Sequence, residues 1–112
     1  MRPTAAQLPG TYKMRVRERD GELEYYIDPR FIPPASWPKM AGYLYLFMLD
    51  AQWDLGCLPA PPEQLRQLMN ADRSEWLHWP TIEHKFPVDA DGVRCNPELE
   101  QRRIEVANGE EY

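Results

Sequence analysis

From Tyr12 the chain alternates. Tyr12, Met14 and Val16 fall on one side of an extended backbone, and Lys13, Arg15, Arg17 and Arg19 on the other. Alternation of this kind predicts a half-buried strand. Asp20-Gly21 is a favoured two-residue hairpin turn, and residues 22–27 return as the partner strand. In that register Arg19 lies across from Glu22 and Arg17 across from Glu24, so cross-strand pairs neutralise part of the basic stripe.

Past a Pro-rich stretch at 28–38 the period changes. Ser36 is placed to cap a helix whose first turn holds Pro38, where a missing N–H costs nothing. That helix is predicted to run to about Trp53, with Gly56 ending it. Met40, Tyr43, Leu44, Phe47 and Ala51 make one apolar stripe; Leu46, Leu49 and Trp53 make a second. A helix apolar around most of its circumference belongs in the core or at an interface. Residues 63–70 predict a short second helix showing Leu65, Leu68 and Met69. Asp72 and Glu75 form a capping box for a third carrying Trp76, Leu77 and Trp79, which Pro80 kinks or breaks. Residues 86–88 and 93–95 read as a second hairpin about a turn at 89–92. Asn96-Pro97-Glu98 starts a last helix that stops at Asn108-Gly109. The expected fold is α+β and winged-helix-like: three helices, a β-hairpin wing and a C-terminal helix, with an added N-terminal hairpin. Residues 1–11 read as a flexible arm, 12–107 as a single domain with its hairpin at 12–27, and 108–112 as a tail.

Length and charge narrow the function classes. A chain of 112 residues has room for one core. Its 12 prolines stand singly or in pairs between apolar segments, as punctuation rather than low complexity. No apolar run is long enough for a membrane span, and no basic-then-apolar start marks a secretion signal, so a cytoplasmic protein with reduced thiols is expected. The net charge is −5, divided as +1 through Arg30 and −6 beyond it. A domain living on phosphate contacts is usually basic or carries a basic face.

Catalytic and metal signatures are sparse. The glycines stand singly, so no phosphate loop is present. His78, His84, Cys57 and Cys95 match no metal template, and Cys57 and Cys95 have no nucleophile-activating context. Asp50 and Asp54 lie one helical turn apart, a spacing that serves proton or cation handling but more commonly just a solvated helix edge. Trp76 and Trp79 flank His78; such a pair serves as a stacking platform for bases or simply packs in the core. No cofactor and no enzymatic activity are expected.

The central segment resembles a known family. Gly42-Tyr43-Leu44-Tyr45-Leu46 and Trp53-Asp54-Leu55-Gly56-Cys57-Leu58-Pro59, followed by Glu63-Gln64-Leu65, Ser74-Glu75-Trp76 and Phe86, are similar to the core of the YdaU-like phage and prophage family. Asp91-Gly92-Val93-Arg94-Cys95-Asn96 and Leu99 are similar to its close. The resemblance spans roughly residues 26–106. It implies a winged-helix-like domain encoded near phage replication genes, acting on DNA or replication proteins as a replisome organiser or helicase loader, with no catalytic residues. The hairpin at 12–27 is an addition that offers an edge strand to a partner.

Two readings of the partner follow. In the first, a phage replication module contacts DNA through Arg73, His78, Lys85, Arg94, Arg102 and Arg103, although Asp72 and Glu75 make the start of the third helix poor ground for phosphates. In the second, a small acidic inhibitor of anti-CRISPR or DNA-mimic type binds a host nucleic-acid-processing complex. Its surface would be Asp50, Asp54, Asp89, Asp91, Glu110 and Glu111, with Lys13, Arg15, Arg17 and Arg19 on the strand edge. Either way the expected partner is DNA or a nucleoprotein complex, with a host or phage protein in it and no membrane.

Overall fold

The computed structural model describes residues 12–109, apart from the side chains of Arg15, Val16 and Arg17. The fold is α+β, with one two-stranded antiparallel hairpin and five α-helices among the described residues. Strands β1 (Met14–Arg19) and β2 (Glu22–Ile27) pair in the expected register, Arg19 opposite Glu22 and Arg17 opposite Glu24. Asp20 and Gly21 both take positive φ, 53° and 82°, as a two-residue hairpin turn requires. The hairpin is not half-buried as predicted. Leu23, Tyr25 and Ile27 face outward at about 60% exposure, and Glu24 and Tyr26 are the more covered side. Among the described side chains of this segment only Tyr12, just before β1, enters the core, edge-on to Phe31 at 5.2 Å; the side chain of Val16 lies outside the described residues.

After a 3-10 turn (Pro29–Phe31) the chain reaches α1 (Lys39–Leu55), the central helix. Its N-cap is Pro38, not the predicted Ser36. A residue before proline is pushed out of helical geometry, so Trp37 cannot be helical and the helix starts beyond Pro38. Gly56 ends it at φ 90° and donates its N–H to the Gln52 carbonyl. The α1 residues that fill the core are Ala41, Leu44, Tyr45, Met48, Leu49 and Trp53. Of the first predicted stripe, Met40, Tyr43 and Phe47 are exposed.

The remaining helices wrap α1. Helix α2 (Pro62–Met69) contributes Leu65 and ends at Asn70 in the left-handed region. Helix α3 (Arg73–Trp76) carries the predicted capping box. Helix α4 (Trp79–Ile82) holds Pro80 in its first turn and inserts Trp79 and Ile82, with a 3-10 turn (Glu83–Lys85) following. Helix α5 (Pro97–Ala107) starts at Asn96, whose side chain accepts from the Leu99 N–H. Gln52 locks α1 to this start: its Oε1 accepts from the Asn96 N–H at 2.7 Å and its Nε2 donates to the Asn96 carbonyl at 3.3 Å.

The predicted second hairpin forms only as isolated bridges. Arg94 exchanges both backbone hydrogen bonds with Leu58, before α2, and bridges Val88 on its other side. Pro87, which has no N–H, and the helix start at Asn96 bound the ladder, so no second pair of strands develops. No helix among the described residues is long and apolar enough to cross a membrane.

Candidate interaction surface

The six cations predicted to meet DNA divide in two. Arg94, Arg102 and Arg103 are 9%, 4% and 4% exposed. Arg94 donates to the carbonyls of Ala60 and Phe86 at 2.7 and 3.1 Å, and its guanidinium lies 5.2 Å from the centre of the Trp79 ring. Arg102 donates to the Met14 carbonyl at 3.0 Å, and Arg103 pairs with Glu100 and lies under Gly56. These arginines hold loops and helix ends together and present no guanidinium to a ligand. Arg73 remains exposed; His78 and Lys85 are half-buried.

The acidic set is also dispersed in role. The Asp50 carboxylate accepts from the Tyr12 hydroxyl at 2.6 Å and pairs with Lys13 at 3.3 Å. Burial first, then the bond to Asp50, pushes the Tyr12 phenol far above the ordinary tyrosine range. Asp89 caps its own turn, accepting from the N–H groups of Asp91 and Val93. Asp54 and Asp91 are exposed. Arg19 pairs loosely with Glu24 at 3.9 Å. Glu110, Glu111 and the side chains of Arg15 and Arg17 lie outside the described residues.

The base of the hairpin is tied to α5 by a polar network. Asp28, fully buried, accepts from the Arg30 backbone N–H and from its guanidinium. The same guanidinium donates to both Glu105 oxygens at 2.9 and 3.1 Å. Its bonds to the two carboxylates hold Arg30 firmly in the charged form.

What sequence reasoning left undecided is which face of α1 turns outward. Met40, Tyr43 and Phe47 stand at i, i+3 and i+7, with Tyr43 and Phe47 each 55% exposed. Beside them an open cavity of about 350 Å³ lies between α1 and the Pro-rich segment, lined by Pro33, Pro34, Trp37, Gly42, Tyr43 and Leu46 among others. Gly42 lets Pro33 pack close against α1: a Cβ there would stand 3.3 Å from the Pro33 side chain, so any other residue would push the proline back. Trp37 is fixed edge-on to Tyr45 at 5.5 Å. Burial, above all, lifts the Tyr45 phenol to about 12. The available signal was two aromatics on a helix that already had a full second apolar stripe.

A smaller cavity of about 310 Å³ is lined by Arg66, Arg73, Trp76 and Leu77. Its neighbour Glu63 is held below the ordinary carboxylate range by hydrogen bonds from Arg66, and Asp72 by the Glu75 N–H. Among the described residues, no group of three His, Cys, Asp or Glu side chains is arranged to hold a metal ion; Cys57 is partly covered and Cys95 buried. No family model, curated protein or solved structure matches this chain.

Proposed function

We propose that this protein is a non-enzymatic adaptor that docks onto a protein partner through the outward face of α1, within a replication nucleoprotein complex of the kind the YdaU-like resemblance implies. The observation that carries this reading is the combination of exposed Met40, Tyr43 and Phe47 beside an apolar groove with the burial of Arg94, Arg102 and Arg103. An apolar helical stripe at i, i+3, i+7 is what a partner helix or groove engages. Arginines buried inside the fold are poor phosphate ligands. The winged-helix-like reading is supported by chain order, a run of helices α1 to α4 and then a turn, and by the bridging of Arg94 to both Leu58 and Val88, which builds a three-segment wing in miniature.

The test has two arms. Labelled duplex DNA is titrated at low and physiological salt, and tagged wild-type and Tyr43→Glu/Phe47→Glu proteins are compared for partners retained from cells that make them. The expected result is no tight, salt-sensitive duplex binding and a partner protein lost with the double variant. Tight duplex binding together with unchanged retention would overturn the reading. Asp54, two turns past Phe47 and exposed, favours a second reading, the acidic inhibitor type. In that case the retained protein is a host nucleic-acid-processing enzyme with a basic channel.

A further inference from the structure

Helices α3 and α4 set Trp76 and Trp79 face to face, ring centres 5.1 Å apart and planes within 2°. The pair does not simply fill the core. Trp79 is buried, with the Arg94 guanidinium over its ring, whereas Trp76 is only partly covered and forms a wall of the 310 Å³ cavity. Leu77, 73% exposed, forms another wall.

The charges around this cavity are not equivalent. Arg66 is spent: its guanidinium donates to both Glu63 oxygens and to the Ala71 carbonyl. Asp72 and Glu75 are turned back on the backbone, Asp72 accepting from the Glu75 N–H and the Ser74 hydroxyl, Glu75 accepting from the Asp72 N–H. The Arg73 guanidinium makes no hydrogen bond or ion pair among the described residues, its carbonyl alone accepting from the Leu77 N–H, and its side chain lines the cavity. The cavity therefore offers one flat indole surface held from behind, one apolar wall and one uncommitted guanidinium.

We infer that this cavity is a binding site for a single nucleotide, its base stacked on Trp76 and its phosphate paired with Arg73. A base has a π-face whatever its identity, so an indole platform takes it without sequence preference. The planar guanidinium matches phosphate oxygens two at a time. The volume is at the lower end of ligand pockets, roughly 300 Å³, which suits one nucleotide rather than a longer segment. This site lies apart from the α1 stripe and does not depend on the docking proposed for it. The ligand is either a free nucleotide or an unpaired nucleotide within a single strand.

Tryptophan fluorescence of the full chain, titrated with thymidine monophosphate and with a short oligothymidylate at low salt, tests this. Quenching by either is expected. Comparable affinities identify a free nucleotide, and an oligomer that binds about tenfold tighter identifies a strand. Arg73→Ala, at an exposed position, is expected to weaken binding about five- to tenfold. It should also flatten the salt dependence by about 0.7 in log–log slope for a strand. Trp76→Leu is expected to abolish the quench while circular dichroism stays that of the wild type. Absence of quenching by both ligands overturns the inference, as does Arg73→Ala binding with wild-type affinity and salt slope. The duplex titration and the α1 variant read the docking face separately from this site.

Discussion

Arg30→Met is expected to be among the most damaging single changes outside the hydrophobic core. The substitution keeps the length of the stem and removes the guanidinium that stands between Asp28 and Glu105. Asp28 is fully buried and Glu105 is 7% exposed, so both carboxylates lose their charged hydrogen-bond donor in a place where water can hardly replace it. Breaking a buried ion pair by deleting one partner costs about 3 to 5 kcal/mol. Arg30 itself retains a quarter of its side-chain exposure, and Arg102 still stands 3.9 Å from Glu105, which places the expected loss near the lower figure. At roughly 4 °C per kcal/mol for a domain of this size, the midpoint of thermal unfolding should fall by about 10 °C. Urea unfolding followed by circular dichroism measures the same loss without extrapolating from the melting temperature. The cause is separable by adding Asp28→Asn, which keeps the acceptor for the Arg30 N–H and deletes the orphaned charge. The double variant Asp28→Asn/Arg30→Met should recover about 1 to 2 kcal/mol. A loss from Arg30→Met below about 0.5 kcal/mol, the level of an ordinary surface change, would refute the reasoning. So would a double variant no more stable than the single one.

Other consequences are as direct. Arg94→Ala should destabilise the fold by about 2 to 3 kcal/mol in urea unfolding, since it strips donors from the Ala60 and Phe86 carbonyls and leaves duplex DNA affinity unmoved. Tyr12 and Tyr45 are buried phenols with raised pKa values, Tyr45 about 12 and Tyr12 higher still. A raised folded-state value means that stability is complete below the unfolded tyrosine value near pH 10 and drains away as pH rises from there through the folded values. Absorbance at 295 nm should show the two ionising only as the fold is lost, and Tyr45→Phe should reduce the alkaline decline. Gly56→Ala should cost at least about 1 kcal/mol, because its φ of 90° is strained for alanine and the new Cβ would sit 3.0 Å from the Arg103 guanidinium. Asp72→Ala should cost about 1 kcal/mol through the lost cap, again read by urea unfolding.

What was legible in the chain was what short-range physics decides. Asp20-Gly21 fixed both the turn and the register of the hairpin, and Asn96-Pro97, Asp72 with Glu75, and Gly56 marked helix ends where the structure has them. Choosing a face of α1 was beyond periodicity, because two overlapping stripes compete and either can go inward. The contacts of Leu49 and Trp53 with the rest of the core decided it, and these involve residues far apart in sequence. The same holds for the arginines. A cation on a helix or a bridging segment is expected in solvent unless a carbonyl distant in sequence meets it; the Met14 carbonyl does so for Arg102 and the Ala60 carbonyl for Arg94. The Pro-rich stretch at 28–38 is legible as a break in the pattern, but its close packing against α1 depends on Gly42, whose significance appears only when Pro33 is seen against it.

The bonds joining the hairpin base to α5 bring together residues 75 and 88 positions apart, Arg30 with Glu105 and Met14 with Arg102. Two segments from opposite ends of the sequence therefore protect each other from local opening. In hydrogen exchange the amides of α5 and of the Lys13–Asp28 junction should slow down and speed up together, as one cooperative unit. That unit can form only after most of the chain is available. During synthesis the hairpin must wait, with Leu23, Tyr25 and Ile27 exposed on an open-edged ribbon that is marginal by itself, until α5 arrives to anchor its base. Loosening of α5, by truncation or by a protease cut near its end, would then be felt first at the hairpin rather than in the core.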